Sequence, residues 1–217
     1  MDKEAYLADL ISRMAVQDRV HTSEESVSWQ AYREAEAADD PEFPGLVKKF
    51  VEAHGEKKDR RLRSEAYYLL SRLLGKTADG PMTEYLVGRV DAESDRYVLM
   101  GLLEGIGGLD LPDDVDILPV IRCTESTFWQ IRYPAVLALR SSARADARET
   151  ARSFVLREDV RRWNREMTYA CVVLGERGEP EDIPAIEPLT KVRFRDLREV
   201  AKEAVARIRR RFPERRP

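Results

Sequence analysis

Residues 128–139, which read FWQIRYPAVLAL, form the clearest example of a helix-opening pattern that recurs along this chain. The Arg-Tyr pair at 96–97 returns at 132–133 after 36 residues, and Leu139 is followed by Leu174 after 35 residues. Self-similarity at a period of about 20 to 50 residues is typical of stacked repeats. We therefore predict an all-α solenoid, a fold whose extended surface usually holds another molecule.

Apolar residues at helical spacing divide most of the chain into helix pairs, each with a shorter first helix and a longer second helix. Pro81, Pro112 and Pro180 precede three of the first helices, where proline suits the first turn. In the fourth pair, Asp146 and Glu149 have the spacing of an N-cap and its capping-box partner. The predicted pairs are 45–54 with 60–74, 81–90 with 95–106, 113–122 with 127–142, 146–156 with 161–176, and 182–189 with 195–211.

The first forty residues do not follow the spacing of the repeats. Residues 6–14 indicate one amphipathic helix, and a second is expected from Thr22 to about Ala38. We predict three regions, which are an N-terminal helical cap at 1–40, a repeat array at 41–212 and a basic C-terminal tail at 213–217. A separate functional module at the N-terminus remains an alternative to the cap.

Composition sets broad limits on the class of protein. The 37 basic and 40 acidic side chains leave a formal net charge of −3, so no global field favours nucleic acid or an anionic membrane. The two cysteines, Cys123 and Cys171, lie in apolar helical stretches and suggest buried thiols in a reducing compartment. With neither a long apolar segment nor a signal-peptide profile, the sequence favours a soluble cytoplasmic protein without membrane contact.

The run 128–132, followed by Ala135, Ala138 and Leu139, resembles the second helix of HEAT repeats, particularly the bacterial type first grouped with phycobilin lyases. The resemblance covers about residues 42–212. It implies a right-handed α-α superhelix of about five HEAT-like helix pairs.

The resemblance also implies a structural role for one arginine of each unit. In this family the arginine at the Arg132 position belongs to a polar ladder between repeats. Arg96 and Arg198 are expected at equivalent positions, whereas Ser64 and Met167 depart from the pattern.

The second helices carry two kinds of stripe. The core stripe of the third pair runs through Ile131, Ala135 and Ala138, and that of the fourth pair includes Tyr169 and Ala170. A different face of the third pair carries large side chains at i, i+4 and i+8. These side chains, with an equivalent residue in the preceding unit, form a candidate anchor pocket on the concave face: Trp129, Tyr133, Leu137 and Tyr97. Packing under a loop or against the cap is the alternative.

A second candidate surface surrounds Trp163, which shares one repeat position with Phe128 and Phe194. Basic and aromatic groups together hold acidic protein surfaces or nucleic-acid backbones. The arginines of this surface are Arg161, Arg162, Arg165, Arg193 and Arg195. Inter-repeat packing of the aromatic residues and a solvated helix face, with pairs such as Glu158–Arg162, are the alternatives. The arginines between Arg207 and Arg216 suggest helix-end charges or a phosphate-contacting tail.

Catalytic and metal-binding motifs are missing from the sequence. The acidic stretch 110–116 lacks the glycine and distal glutamate of a calcium loop, and its aspartates suit a helix N-terminus. His21 and His54 have no partner at metal or triad spacing. We expect no catalytic residue, no metal and no cofactor.

The favoured function is a non-enzymatic HEAT-repeat scaffold or adaptor that binds another protein through its concave face. Trp129, Tyr133, Leu137, Tyr97 and Trp163 would supply apolar contacts, and Arg161, Arg165 and Arg195 would add charge complementarity. The resemblance leaves two alternatives. One is a DNA-binding enzyme of the alkylpurine DNA glycosylase type, using Trp129, Trp163 and Arg165. The other is a chromophore-lyase-like subunit that binds a pigment.

Overall fold

The computed structural model describes residues 2–20, 22–77 and 79–213, and within these ranges the chain is helical without any strand. The all-α prediction is confirmed. The α-helices of the described residues are α1 (Lys3–Met14), α2 (Val27–Ala37), α3 (Phe43–Ala53), α4 (Arg60–Leu74), α5 (Gly80–Ala92), α6 (Arg96–Ile106), α7 (Leu118–Cys123), α8 (Trp129–Ala138), α9 (Ala145–Val155), α10 (Val160–Arg177), α11 (Ile183–Ile186) and α12 (Arg195–Arg211). None of them combines the length and apolar character that crossing a bilayer requires.

The chain divides into two compact units, Met1–Asp110 and Leu111–Pro217. The first unit contains α1 to α6 and the second contains α7 to α12. The five helix pairs of the sequence correspond to α3 with α4, α5 with α6, α7 with α8, α9 with α10, and α11 with α12, and the members of each pair pack against each other.

Two first helices are shorter than the sequence predicts. The helix predicted from 113 begins only at Leu118, because Pro112 lies in the preceding loop and Pro119 takes the place in the first turn. Asp116 accepts a hydrogen bond from the Leu118 amide at 2.9 Å and so closes the loop. The helix predicted at 182–189 is α11 followed by a 3₁₀ segment, because Pro188 has no amide hydrogen with which to continue the α-helical ladder.

The predicted capping box at Asp146 is wrong. The helix α9 begins at Ala145 after Arg144, and no side chain caps it. Asp146 instead pairs with the guanidinium of Arg144 at 3.0 Å. A capping box does form between Glu179 and Asp182, just before α11.

In the first unit, α1 and α2 pack against each other and both contact α4. The buried face of α1 carries Leu7, Leu10, Ile11 and Met14, as its spacing predicts. The second helix begins later than expected, at Val27, because a 3₁₀ turn at Ser23–Glu25 comes first. The assignment of residues 1–40 as a cap stays a prediction.

The second unit has two layers of helices. The first helices α7, α9 and α11 form one layer, and the second helices form the other, in which α10 contacts both α8 and α12. Phe154 of α9 and Met167 and Leu174 of α10 are fully buried between them. The face of α8, α10 and α12 that points away from the first layer is therefore available to solvent. We call it the outer face.

An arginine at the fourth position of three second helices fixes the loop that precedes each helix. These residues are Arg63 of α4, Arg132 of α8 and Arg198 of α12. Arg63 Nη1 donates to the carbonyl oxygens of His54 and Glu56 at 3.0 and 2.6 Å.

The other two arginines make the same kind of contact. Arg132 Nη1 donates to the carbonyl oxygens of Ser126 and Thr127 at 2.9 and 3.1 Å. Arg198 Nη1 donates to the carbonyl oxygen of Val192 at 3.2 Å.

Two of these arginines also bind a carboxylate of a neighbouring helix. Arg63 makes a two-pronged contact with Glu93, at 2.9 and 3.0 Å, and both side chains are buried. The pKa of Arg63 is raised by its hydrogen bonds to Glu93. Arg132 Nε donates to the buried Glu166 of α10 at 2.9 Å. These contacts connect one helix pair to the next.

The expected equivalence of Arg96 with Arg132 is wrong. Arg96 is the first residue of α6 and donates to the hydroxyl of Tyr97 at 2.9 Å, whereas Arg132 is the fourth residue of α8. The residue of α4 that matches Arg132 is Arg63. The repeat spacing had placed this position one residue later, at Ser64.

The C-terminal arginines mostly have partners within their own unit. Arg209 pairs with Glu187 at 2.8 Å, and Arg210 pairs with Glu203 at 2.9 Å. Arg211 donates to the carbonyl oxygens of Gly175 and Gly178. Residues 214–217 of the predicted basic tail lie outside the described residues, as does His21.

We expect Arg63→Ala to lower the free energy of unfolding by about 3–5 kcal/mol, because it leaves the buried Glu93 carboxylate without a cation and with only the Asp95 amide as a hydrogen-bond donor. Urea denaturation followed by circular dichroism measures this change. Arg60→Ala is the matched control in the same helix, since Arg60 is half-exposed and lies 3.7 Å from Asp95. The control should cost less than about 1 kcal/mol. Equal losses would contradict the anchoring role of Arg63.

Cys171 should resist alkylation in the folded protein. Its side chain is fully buried, and burial raises the pKa of the thiol to about 12, so little reactive thiolate forms at pH 8. Cys123 is half-buried and provides the internal comparison. Mass spectrometry after iodoacetamide treatment should find Cys171 modified only when urea is present. Modification of both thiols at equal rates in native buffer would contradict this burial.

Candidate functional site

Three aromatic rings stack across two second helices of the second unit. The rings of Trp129 and Tyr133 lie 5.8 Å apart on α8, and the ring of Tyr169 on α10 lies 5.5 Å from that of Tyr133. Both pairs are close to parallel, with interplanar angles of 22° and 19°. Trp129 is 47% exposed, and the two tyrosines are half-buried. We call these three residues the aromatic stack.

Tyr169 belongs to the aromatic stack, although its spacing in the sequence predicted a place in the core stripe. Ala170, its neighbour in that stripe, is fully buried as expected, but Tyr169 faces Tyr133 instead. The separation of 36 residues between the two tyrosines equals that between the Arg-Tyr pairs at 96–97 and 132–133. Extending that step by one unit would have located Tyr169.

The guanidinium of Arg165 covers part of the aromatic stack. It lies 4.5 Å from the ring centroid of Trp129 and 5.4 Å from that of Tyr133. Such cation–π contacts attract the guanidinium to the face of a ring. In the described part of the chain, the Arg165 guanidinium has no carboxylate within ion-pair distance. Its N–H edges are therefore available to an anion.

Five exposed arginines lie at or just before the N-terminal ends of α10 and α12, and we call them the arginine cluster: Arg161, Arg162, Arg165, Arg193 and Arg195. Among residues 2–20, 22–77 and 79–213, no ion pair or hydrogen bond engages any of these guanidinium groups. The expected Glu158–Arg162 pair does not form. The acidic residues at this end include Asp159, which caps α10 by accepting the Arg162 amide at 3.0 Å.

The structure places Trp163 in a different environment from Trp129. Its ring makes an edge contact with Phe154 of α9, with centroids 6.2 Å apart. The guanidinium groups of Arg157 and Arg132 lie 4.0 and 5.3 Å from the same ring. Trp163 therefore packs between the two helix layers and does not belong to the aromatic stack.

Leu137 is half-buried near the end of α8, on the face that carries Trp129 and Tyr133. Next to the C-terminal part of this layer lies a shallow groove of about 310 Å³ between α10 and α12. Val172 and Val200 give the groove an apolar floor, and its rim carries charges of both signs. The outer face of the layer thus has an aromatic and cationic end and an end of mixed charge.

Tyr97 belongs to the first unit. It is 53% exposed and lies second in α6, so it does not match Tyr133, which is the fifth residue of α8. It lines a pocket of about 410 Å³ with Tyr32 of α2 and Glu65 of α4. A second pocket of about 490 Å³ shares Tyr32 and Glu65 and continues toward Glu104 of α6.

Both pockets contain a polar pair, Tyr32 and Glu65, that was not predicted from the sequence. The hydroxyl of Tyr32 donates to the Glu65 carboxylate at 2.5 Å. Burial raises the pKa of Glu65 despite this hydrogen bond, and burial also raises the pKa of Glu104. No sequence motif marks the pair, because its members lie 33 residues apart in helices that pack only in the folded unit.

No protein-family model matches the sequence, and no curated protein matches it either. Solved structures do match. An engineered protein from the Northeast Structural Genomics Consortium is 18% identical with a TM-score of 0.55, over 97% of this chain and 98% of that one. A designed armadillo repeat protein is 13% identical with a TM-score of 0.52, over 93% and 99% of the two chains.

A second designed armadillo repeat protein, solved in complex with the peptide (KR)4, is 12% identical with a TM-score of 0.52, over 93% of this chain and 99% of that one. At these identities the likeness concerns the fold alone. The prediction of a helical-repeat solenoid is confirmed. The assignment to the HEAT type grouped with phycobilin lyases stays a prediction.

Trp129 and Trp163 should contribute very differently to stability. Trp129→Ala removes a half-exposed ring and should cost about 1 kcal/mol of unfolding free energy. Trp163→Ala opens a cavity between the layers and should cost about 3 kcal/mol or more. Urea denaturation of the two variants measures the difference. A loss at Trp129 as large as that at Trp163 would assign Trp129 to the core and remove it from the candidate surface.

Proposed function

We propose that this protein is a non-enzymatic repeat scaffold that binds a protein partner through the outer face of α8, α10 and α12. The observation that carries the proposal is the aromatic stack with Arg165 lying on it. Tryptophan, tyrosine and arginine are the residues most enriched among those that dominate binding energy at protein interfaces. Here all three types meet on one solvent-facing surface of the second unit.

The exposed part of the stack is large enough to contribute usefully to binding. A tryptophan side chain has about 150–250 Å² of surface to bury, and Trp129 is 47% exposed. Covering roughly 100 Å² of apolar surface contributes about 2.5 kcal/mol. The same ring adds little to the core, so a partner supplies the burial that the folded chain does not.

The architecture supports the same proposal. A designed armadillo repeat protein of similar fold was solved with a bound peptide, (KR)4, so a helical-repeat array of this length can hold a peptide. We further propose that the array is of the HEAT type suggested by residues 128–139, with α1 and α2 covering its first end. The fully buried thiol of Cys171 supports a reducing, cytoplasmic location.

The partner is first captured from the native host by crosslinking and affinity purification, and it is identified by mass spectrometry. Binding of the purified partner is then titrated against the wild type and a Trp129→Ala plus Tyr133→Ala variant. We expect the dissociation constant to rise at least about 100-fold, since hot-spot residues each contribute about 2 kcal/mol or more.

The matched control is Trp29→Ala, which removes a similarly exposed tryptophan from the first unit. It should leave the affinity within about threefold, because its side chain is not part of the aromatic stack. Circular dichroism confirms that each variant is folded. Unchanged affinity in the folded double variant would disprove the proposal.

A further inference from the structure

We propose that the arginine cluster binds an acidic segment of the partner, in extended conformation, across the N-terminal ends of α10 and α12 and beside the aromatic stack. This inference rests on the proposed function and names the chemistry of the segment that the surface recognises. It is carried by the contrast between the arginine cluster and the other arginines of the second unit.

Several arginines elsewhere in this unit have carboxylate partners. Arg144 pairs with Asp146, Arg157 with Glu125, and Arg209 with Glu187, at 3.0, 2.7 and 2.8 Å. The cluster has no such partner in the part of the chain that the structure describes, although acidic side chains are numerous on this protein. Guanidinium groups without an internal carboxylate are the ones that a partner's carboxylates can engage.

The positions of these arginines suit an extended segment. Arg161 and Arg165 lie one turn apart on the same face of α10, and Arg195 begins the adjacent helix α12. Neighbouring packed helices are about 8–10 Å apart, so Trp129, Arg165 and Arg195 span roughly 20 Å. At about 3.3 Å per residue, an extended segment of about six residues covers this distance.

The local fields also favour negative charge at this end of the layer. The positive ends of the helix dipoles of α10 and α12 lie here, and no side chain of the described residues caps the first turn of α12. Arg165 contacts Trp129 and Tyr133, with its guanidinium carbon 4.5 and 5.4 Å from the two ring centroids, so its position is restricted before an acidic residue arrives. Such pre-organisation reduces the entropy lost on binding.

A peptide fits this surface better than a nucleic acid does. Glu158, Asp159 and Asp196 lie among the arginines and would oppose a continuous row of phosphates, which carries a negative charge at every nucleotide. Side chains of a peptide extend alternately to either side, so its carboxylates can reach the arginines and avoid the acidic residues.

The test uses the full chain and a fluorescein-labelled octapeptide in which Glu alternates with Ser, so that its carboxylates lie on one side of the extended chain, with binding followed by fluorescence anisotropy at low ionic strength. The comparison probes are (KR)4 and a single-stranded thymidine oligonucleotide of similar length. We expect measurable binding of the acidic peptide alone. Arg161→Gln plus Arg165→Gln should raise its dissociation constant at least about tenfold, because a hydrogen bond to a charged group contributes about 1.5 kcal/mol or more.

The matched control is Arg209→Gln plus Arg210→Gln, which removes the same charge from paired arginines at the other end of α12. It should change the dissociation constant less than about twofold, since those residues lie outside the cluster. Arg165→Lys keeps the charge but loses the planar fork, and it should lose about as much affinity as Arg165→Gln.

The outcomes separate this inference from the proposed function. Equal losses in the cluster and control variants would show that net charge alone drives binding, and would overturn it. Failure of the acidic peptide to bind, or tighter binding of (KR)4 or the oligonucleotide, would also overturn it. In each of those cases the proposed function stands if Trp129→Ala plus Tyr133→Ala still abolishes capture of the natural partner.

Discussion

The repeat architecture depends on an arginine that joins a loop to a helix and, in two of three cases, to the next helix pair. Arg63 and Arg132 each donate to two carbonyl oxygens of the loop before their own helix and to a buried glutamate beyond it. A loop carbonyl excluded from water needs a donor, and a buried glutamate needs a cation. One guanidinium, with five N–H groups in a fixed plane, meets both needs at once. In these two pairs, the loop before the second helix and the contact with the next pair are therefore held by the same side chain.

Periodicity predicted the helix pairs well, because burial of one face by a neighbouring pair is what the apolar spacing encodes. It located individual positions less well, because the loops and 3₁₀ segments between helices differ in length. A fixed step of 36 residues aligned Arg96, at the start of α6, with Arg132, a full turn into α8. The same step correctly relates Tyr133 to Tyr169, since α8 and α10 are neighbours in one layer.

The residues of the candidate surface also differ in how well the sequence predicts them. Trp129, Tyr133 and Arg165 could be found from the sequence because i, i+4 spacing and a repeat step place them on one face. Trp163 could not be assigned, because a helix start at an aromatic residue does not reveal which layer the ring enters; contact with Phe154 decides it. The Tyr32–Glu65 pair depends on how α2 packs on α4, which no local pattern records.

Stacking of Arg165 on the aromatic rings favours an acidic partner over a purely apolar one. An apolar side chain that takes the place of the Arg165 guanidinium on the two rings loses about 0.5–2 kcal/mol of cation–π energy. A carboxylate instead binds the N–H groups of Arg165, and the contacts of the guanidinium with Trp129 and Tyr133 remain. A bound carboxylate also neutralises the charge of Arg165. An unpaired charge at this position would be costly to bury when the partner covers the aromatic rings. A surface built in this way selects partners by charge as well as by apolar area, because a partner that covers the exposed Trp129 ring without supplying a carboxylate leaves Arg165 unpaired.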